Sequence, residues 1–334
     1  MFPMPRYAAL CCYFGQWPSH FQYWLESCRH NVAIDFLLVT DIPTEGFTVP
    51  ANVRVVPMSF VEVQALIGHK FPEIAAVADR PYKLCDFKTA YGYIFDDLFD
   101  GYDYWGYYDI DTIWGDIVRF IPSNDDRHLV KIFPCGHLSF IRNAAPWNRV
   151  FELVNRVAGT PCRNNMTGKS VVTWQECFAS AESHFYDEEG GLEPLFSHLV
   201  ASGELSADDL YLAVDFGNIL PPWRFDHFYS INFPAKSKFL LYRYDGGTLS
   251  RVYLKGLKPR CEAISYVHLS HRSFTVTADG IVGQRYVIFP DRFVNNLTLN
   301  FWKVLWLGRP RYVANVFRRI MRKFQRTTGL SGWI

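Results

Sequence analysis

The chain has 334 residues, 49% of them hydrophobic and 17% aromatic, with a formal net charge of +1. Such a composition supports a buried core in one large domain or two modest ones, and it excludes a disordered or low-complexity chain. Charge is segregated: nine Lys and Arg and no acid follow Asp291, which leaves residues 1–291 at −8 and argues against nucleic acid as a partner of the body.

Taken in chain order, short apolar runs alternate with amphipathic ones over the first hundred residues, the pattern of β/α units feeding a largely parallel sheet. Strands are expected at 7–14, 33–39 and 53–57. Between the first two, Phe21, Trp24, Leu25 and Cys28 have helical spacing behind Ser19 as an N-cap, and a second helix is expected over 59–67. Residues 82–99 place Leu84, Phe87, Tyr91, Ile94, Phe95 and Leu98 on one helical stripe, which Gly101 stops. The next strand is expected in "GYDYWGYYDIDTIWGDI", residues 101–117. Further strands are expected at 128–133 and 137–143, with a helix from Pro146 to Ala158. A helical stretch over 174–205 breaks at Gly190-Gly191. A hairpin turns at Asp245-Gly246-Gly247, and a strand covers 263–271.

The eight cysteines show neither a C-x-x-C pair nor zinc-finger spacing, so they read as scattered reduced thiols. No run of eighteen apolar residues occurs, and "MFPMPRYAALCCYFGQW" lacks the basic start and long apolar stretch of a secretory signal. The compartment expected is the cytoplasm.

The acidic triplet in the 101–117 run carries the chemistry. In an extended strand Asp109 and Asp111 share a face while Ile110 packs the other way. Two carboxylates so placed repel unless a cation lies between them, and a divalent metal answers that need. Gly106 and Gly115 flank the triplet where a ligand would need room. By itself a D-x-D is common, and a surface or capping pair is the alternative reading.

The N-terminal β/α half, the "YKLCDFKTAYGYIF" segment and "YWGYYDIDTIWGDI" together resemble the GT-A glycosyltransferases. They look most like the bacterial surface-polysaccharide (capsule or O-antigen) type, over roughly residues 5–275. Related families carry D-x-x-R ahead of the D-x-D, and this chain has Thr89 where that arginine would stand. The resemblance implies an α/β fold with a GT-A type, Rossmann-like mixed sheet, mostly parallel and flanked by helices. It implies a domain over 1–290, with a nucleotide-binding half at 1–117 and an acceptor half at 118–290. Residues 291–334 would form a basic helical appendage. It further implies that Asp109 and Asp111 hold Mn²⁺ or Mg²⁺ against the diphosphate of a nucleotide-sugar donor, UDP-hexose by preference, with Asp109 leaning toward ribose as well.

The resemblance also implies a late histidine as a further metal ligand. In "YVHLSHRSF", His268 is preferred over His271 for that role, with a strand-end histidine held by a backbone partner as the other reading, and Arg272 is the candidate counter-charge for the diphosphate. Tyr13, Phe14, Thr40 and Asp41 follow the first two strands, where this fold holds base and ribose, although aromatics there also serve as core. By resemblance, Asp86 and one lysine, Lys83 or Lys88, contact ribose or phosphate, whereas Asp86 read alone is a first-turn acid that the helix dipole favours. Asp187 and Glu188, with Glu189, form an acidic cluster from which an inverting enzyme would draw its base. Acids on an exposed turn are the other reading. Trp174 is a candidate for stacking on a sugar, with a core role beside it.

In the tail, residues 311–325 put Val313, Val316, Phe317, Ile320 and Phe324 on one stripe with arginines and a lysine around it. This pattern suits an anionic membrane surface, hence a peripheral location on the inner face of the cell membrane and a glycan or lipid-linked saccharide acceptor. A packed terminal helix is the alternative. Two rival functions stand beside the transferase. A haloacid-dehalogenase-like phosphatase needs Thr or Val two positions after the second Asp, where this chain has Ile113. A carbohydrate-binding protein that keeps the scaffold without chemistry would bind glycan with neither metal nor nucleotide.

Overall fold

The computed structural model describes residues 5–76, 78–121, 129–160, 170–184, 186, 191–212, 216–218, 241–255, 257–269, 274–276, 285–289 and 291–307. Its strands in chain order are β1 Tyr7–Cys12, β2 Ile34–Thr40, β3 Val53–Pro57, β4 Tyr104–Tyr108, β5 Thr112–Trp114, β6 Lys131–Cys135, β7 Leu138–Arg142 and β8 Leu210–Tyr211. They continue with β9 Phe216–Asn218, β10 Leu241–Asp245, β11 Thr248–Lys255, β12 Lys258–Ala263, β13 Tyr266–His268, β14 Arg285–Ile288 and β15 Phe293–Asn295.

The central sheet has the order β3-β2-β1-β4-β7-β6-β8. β3, β2, β1 and β4 run parallel, β7 is antiparallel to both β4 and β6, and β8 is parallel to β6. The fold is therefore α/β, with a mixed and largely parallel sheet flanked by helices. Sequence explains the parallel half: both faces of β1, β2 and β4 are covered, so these strands are almost wholly apolar rather than alternating. Successive residues point to opposite faces. Ala9, Phe36, Leu38, Tyr104 and Tyr108 enter one core, beneath the helix Phe21–Arg29. Ala8, Leu10, Leu37, Trp105 and Tyr107 enter the other, beneath Phe60–Lys70, Trp174–Ala179 and Leu192–Ala201.

Two smaller sheets complete the fold. β12-β11-β10-β14-β15 is an antiparallel sheet whose Tyr286 and Phe293 pack on Tyr23 of the first helix. Gly246 and Gly247 both have positive φ (51° and 91°) at its first turn, as a two-residue hairpin requires. The edge strand β15 and the helix Phe301–Leu307, whose Val304 is buried against this sheet, carry ordered packing past residue 290. The third sheet, β5-β13-β9, is the one that matters for function.

Several expectations meet local differences. Ser59 and Glu62 form a full capping box, which starts the second helix where expected and lets it run on to Lys70. Ser19 is not an N-cap: His20 holds that position without a side-chain cap, and Ser19 donates to the carbonyl of Phe274. The stripe over 82–99 folds as a chain of short 3₁₀ and α turns, Pro81–Lys83, Leu84–Phe87, Lys88–Ala90, Tyr91–Ile94 and Asp96–Phe99. Lys83, Asp86, Lys88 and Thr89 are buried along with the apolar stripe, so between residues 83 and 95 there is no exposed face to keep the segment a regular amphipathic helix. The 101–117 run is two strands in two sheets, and Asp109–Asp111 is the break between them.

Gly106 and Gly115 do not make room for a ligand. A Cβ on Gly106 would lie 2.2 Å from the Ser139 carbonyl oxygen across the β4/β7 pairing, and one on Gly115 would lie 2.6 Å from that of Ile264. Both glycines permit close backbone approach. The sequence-predicted basic tail at 311–325 lies outside the described residues. Among the described residues no helix is long and apolar enough to cross a membrane.

Gly106→Ala tests this packing: the clash is with backbone, which cannot swing away, so the variant should lose about 1–3 kcal/mol in urea unfolding.

Candidate functional site

The strand order creates a crevice. From β1 the chain proceeds to β2 and β3 on one side, and then returns to β4 on the other, so connections leave the C-terminal ends of β1 and β4 in opposite directions. Open α/β sheets bind ligands at such a switch point. A cleft of about 150 Å³ lies there, with Tyr13 and Phe14 beyond β1, Lys88 from the turns before β4, and Asp109 and Asp111 beyond β4 among its walls.

Local hydrogen bonds hold the strand break. Asp109 N–H donates to the His137 carbonyl, the last step of the β4/β7 ladder, and the Thr112 hydroxyl donates back to the Asp109 carbonyl at 2.6 Å. Leu269 N–H then donates to the Asp111 carbonyl, and β5 pairs with β13 so that His268 lies opposite Thr112. Asn31 fixes the far side, donating to Gly115 O and accepting from Ile117 N–H.

The two acids thus face different partners. Asp109 accepts from the Lys88 ammonium at 2.7 Å, and that ammonium also donates to Gly136 O. Asp111 is buried, with Oδ2 lying 3.3 Å from His268 Nε2. A third group joins them: His137, in the turn between β6 and β7, stacks its ring on that of His268 with centroids 3.8 Å apart. Ligand atoms of Asp109, His137 and His268 all lie within 4.8 Å of one another. Donors around one cation at ~2.1 Å lie about 3–4 Å apart, so a small contraction fits a divalent ion to this cluster. A divalent metal therefore suits the residues present.

Electrostatics agree. Burial pulls the His268 imidazolium down, but the charge and hydrogen bond of Asp111 and the charge of Asp109 outweigh it, and its pKa is raised. Two carboxylates and a single lysine leave the site short of positive charge, and a proton on His268 makes up the difference. Burial raises two of the three cysteines on the cleft wall, Cys12 to about 12 and Cys11 well above the usual range, so both of these are neutral thiols.

Of the other sequence-predicted residues, Tyr13 and Phe14 line the cleft, with Tyr13 stacked on Trp17 and its hydroxyl donating to Gln16 O. Thr40 is buried and accepts from Ile42 N–H, a turn-forming role, and Asp41 beside it is exposed. Lys83 and Asp86 are not brought to the triplet. They form a buried ion pair at 2.7 Å, with Lys83 donating also to Cys177 O and Glu182 O and Asp86 accepting from His184 and Tyr186 N–H. Those partners clamp the 177–186 segment to the turns beside the cleft. Trp174 is buried among Phe71, Phe151 and Phe178, so it packs the core rather than a sugar. Asp187, Glu188, Glu189, His271 and Arg272 lie outside the described residues. Sequence does not single out His137, because its proximity depends on the β4/β7 register; its only local mark is its place at the start of an expected strand.

Residues 9–297 match the model of a family of unknown function, DUF6625. The chain belongs to that family. No curated protein matches it. Solved structures similar to it include an active-site mutant of LgtC, at 10% identity over 69% of this chain and 80% of that one, with a TM-score of 0.33. The galactosyltransferase LgtC with donor and acceptor sugar analogs gives 11% identity over 45% and 63%, with a TM-score of 0.26. Mouse xyloside xylosyltransferase 1 in its apo form gives 10% identity over 80% and 98%, with a TM-score of 0.36. At TM-scores below 0.5 these likenesses carry no weight for this family member, whose chemistry stands on its own residues.

Two predictions follow from the buried charges. In the metal-free protein, a raised His268 pKa stabilises the fold fully below the ordinary imidazole value, and that contribution is lost as pH rises through the raised value. A divalent ion must displace the same proton, so its affinity should rise with pH across that window, with proton release seen in calorimetry in buffers of different ionisation enthalpy. Separately, Asp86→Ala strands a buried ammonium and should cost about 3–5 kcal/mol in denaturant unfolding, whereas replacing Lys83 and Asp86 together by Met and Leu should cost less.

Proposed function

We propose that the protein is a metal-dependent glycosyltransferase that moves a hexose from a nucleotide-sugar donor, UDP-linked by preference, to a glycan or lipid-linked acceptor of cell-surface polysaccharide. One observation carries this reading. A carboxylate and two imidazoles converge, with a second carboxylate and a lysine against them, where β1 and β4 part at the switch point of the sheet. That is where an α/β sheet binds a nucleotide, and the donor set is one that holds a divalent cation.

The division of labour follows from position. Asp109, with His137 and His268, would hold Mn²⁺ or Mg²⁺, which when bound supplies charge stabilisation for a departing nucleoside diphosphate. Lys88 places a fixed ammonium beside the same phosphates. Tyr13 and Phe14, on the cleft wall, are proposed as the aromatic face for the base or sugar, and Asp41, exposed after β2, is proposed for the ribose hydroxyls. The clamp from Asp86 to Tyr186 holds the chain one residue before Asp187. Asp187 or Glu188 is proposed as the base that takes the acceptor hydroxyl's proton in an inverting reaction. Arg272 is proposed as a further phosphate partner, and the basic residues of 311–325 as the contact with an anionic membrane.

Thermal unfolding in the presence of UDP tests the reading. With Mn²⁺, UDP at a hundredfold excess over its Kd should stabilise the protein by about 2.7 kcal/mol, and Asp109→Asn should remove that gain. Stabilisation by oligosaccharide alone, with no response to metal or nucleotide, would favour the carbohydrate-binding alternative.

A further inference from the structure

The hairpin of β11 and β12 ends on a turn that its chemistry does not explain. Hairpin turns favour Gly, Asn, Asp, Pro and Ser, which suit the backbone geometry. This one carries Leu257, 75% exposed. Lys255 and Lys258 lie directly opposite each other at its base, and Arg260 opposes Tyr253 two pairs further on. All three basic residues are exposed, and among the described residues no acid pairs with them. Glu262, the acid of β12, lies 3.6 Å from Arg251 instead. Like charges directly opposite destabilise a sheet, so the fold leaves Lys255 and Lys258 in want of a counter-charge.

The helix Phe301–Leu307 lies over the same end of the sheet, against β11 and β12. Its Val304 is buried with Val252 of β11, and Leu254, close to the turn, packs against them. On this helix Trp302 is 63% exposed, next to the basic Lys303. Single exposed apolar residues are ordinary. Here a leucine and a tryptophan stand at one end of one sheet among Lys255, Lys258, Arg260 and Lys303, and the sequence runs on from that helix into the basic stripe of 311–325. Lysines on an edge strand also keep sheets from pairing edge to edge, but that use needs neither a leucine at the turn nor a tryptophan on the neighbouring helix.

We propose that the Leu257 turn and Trp302 form a docking surface for an anionic phospholipid bilayer, in addition to the contact assigned to residues 311–325. Each group suits one depth of such a surface: leucine the acyl boundary, tryptophan the headgroup level, and lysine and arginine the lipid phosphates. Stable attachment at an interface takes more than one weak anchor, and this surface supplies a second, structured one. It is separate from the metal and nucleotide groups. β12 runs from the turn toward β13, and its six residues span about 20 Å before the chain turns into the strand that carries His268.

Co-sedimentation of the full chain with vesicles, of phosphatidylcholine alone or of equimolar phosphatidylcholine and phosphatidylglycerol, tests the docking. The wild type should bind the anionic vesicles and be released as salt is raised. Lys255→Gln with Lys258→Gln should weaken that binding about 10- to 30-fold. Leu257→Ser with Trp302→Ser should weaken it by at least ~10-fold, at low salt and high salt alike. All four side chains are outside the core, so the thermal midpoint and its response to UDP and Mn²⁺ should match the wild type in both variants. Anionic-vesicle binding that both double variants retain in full would overturn the proposal and leave 311–325 as the membrane contact. Absence of vesicle binding by the wild type would overturn it too. So would a wild-type dimer in sedimentation velocity that Leu257→Ser with Trp302→Ser dissolves while vesicle binding persists, because the surface would then meet a second copy of the chain. None of these outcomes bears on the cleft, whose reading fails only on the response to UDP and Mn²⁺.

Discussion

Two carboxylates two residues apart, at the end of a buried strand, are the constraint around which the site is built. An unpaired buried carboxylate costs several kcal/mol, so each must find positive charge or a strong donor. Lys88 answers Asp109 and His268 answers Asp111. One partner lies 21 residues upstream and the other on a strand beyond residue 260, so folding must draw the turns before β4 and the third sheet onto the same three residues. The β6–β7 hairpin arrives for a different reason, as the antiparallel neighbour of β4, and brings His137 with it.

Lys83 and Lys88 show how little separates a structural lysine from a functional one. Both are nearly buried and both pair with an aspartate at 2.7 Å. Lys83 makes two further hydrogen bonds to the carbonyls of Cys177 and Glu182, and its partner Asp86 accepts from the backbone N–H groups of His184 and Tyr186, so that pair is spent on holding chain to chain. Lys88 and Asp109 face a cleft, and the carboxylate is 22% exposed. A charge pair with solvent access can exchange its counter-ion for a ligand, and a sealed one cannot.

That difference explains what was legible. The parallel strands β1 to β3, the Ser59–Glu62 capping box and the Asp245-Gly246-Gly247 hairpin follow from local pattern and turn chemistry, and each formed where that pattern placed it within a residue or two at most boundaries. The acidic triplet stands out because acids in an aromatic strand are conspicuous in sequence, whereas His268 is a candidate only through the family resemblance. Three things could not be read. The 82–99 stripe has the period of a regular helix, but burial of its polar residues depends on elements far away. The β4–β5 break is a change of sheet, invisible to a two-residue period that continues through it. His137 becomes a neighbour of Asp109 only through strand register, which no local window contains.

The aromatic residues around the triplet then have a mechanical meaning. Tyr108, the last residue before the break, stacks on Trp24 and meets Phe36 edge-on, and Trp114, the last residue of β5, packs on Phe36 as well. Both sides of the break are therefore braced on the same helix and strand, with Ser27 accepting from Trp114 N–H and Asn31 from Ile117 N–H just past β5. Groups that stabilise charge developing in a reaction are effective in proportion to how little they must reorganise. Asp109 and Asp111 sit on three residues whose ends cannot shift independently, so their separation and their direction relative to His137 and His268 are set by the hydrophobic core and not by the ligand.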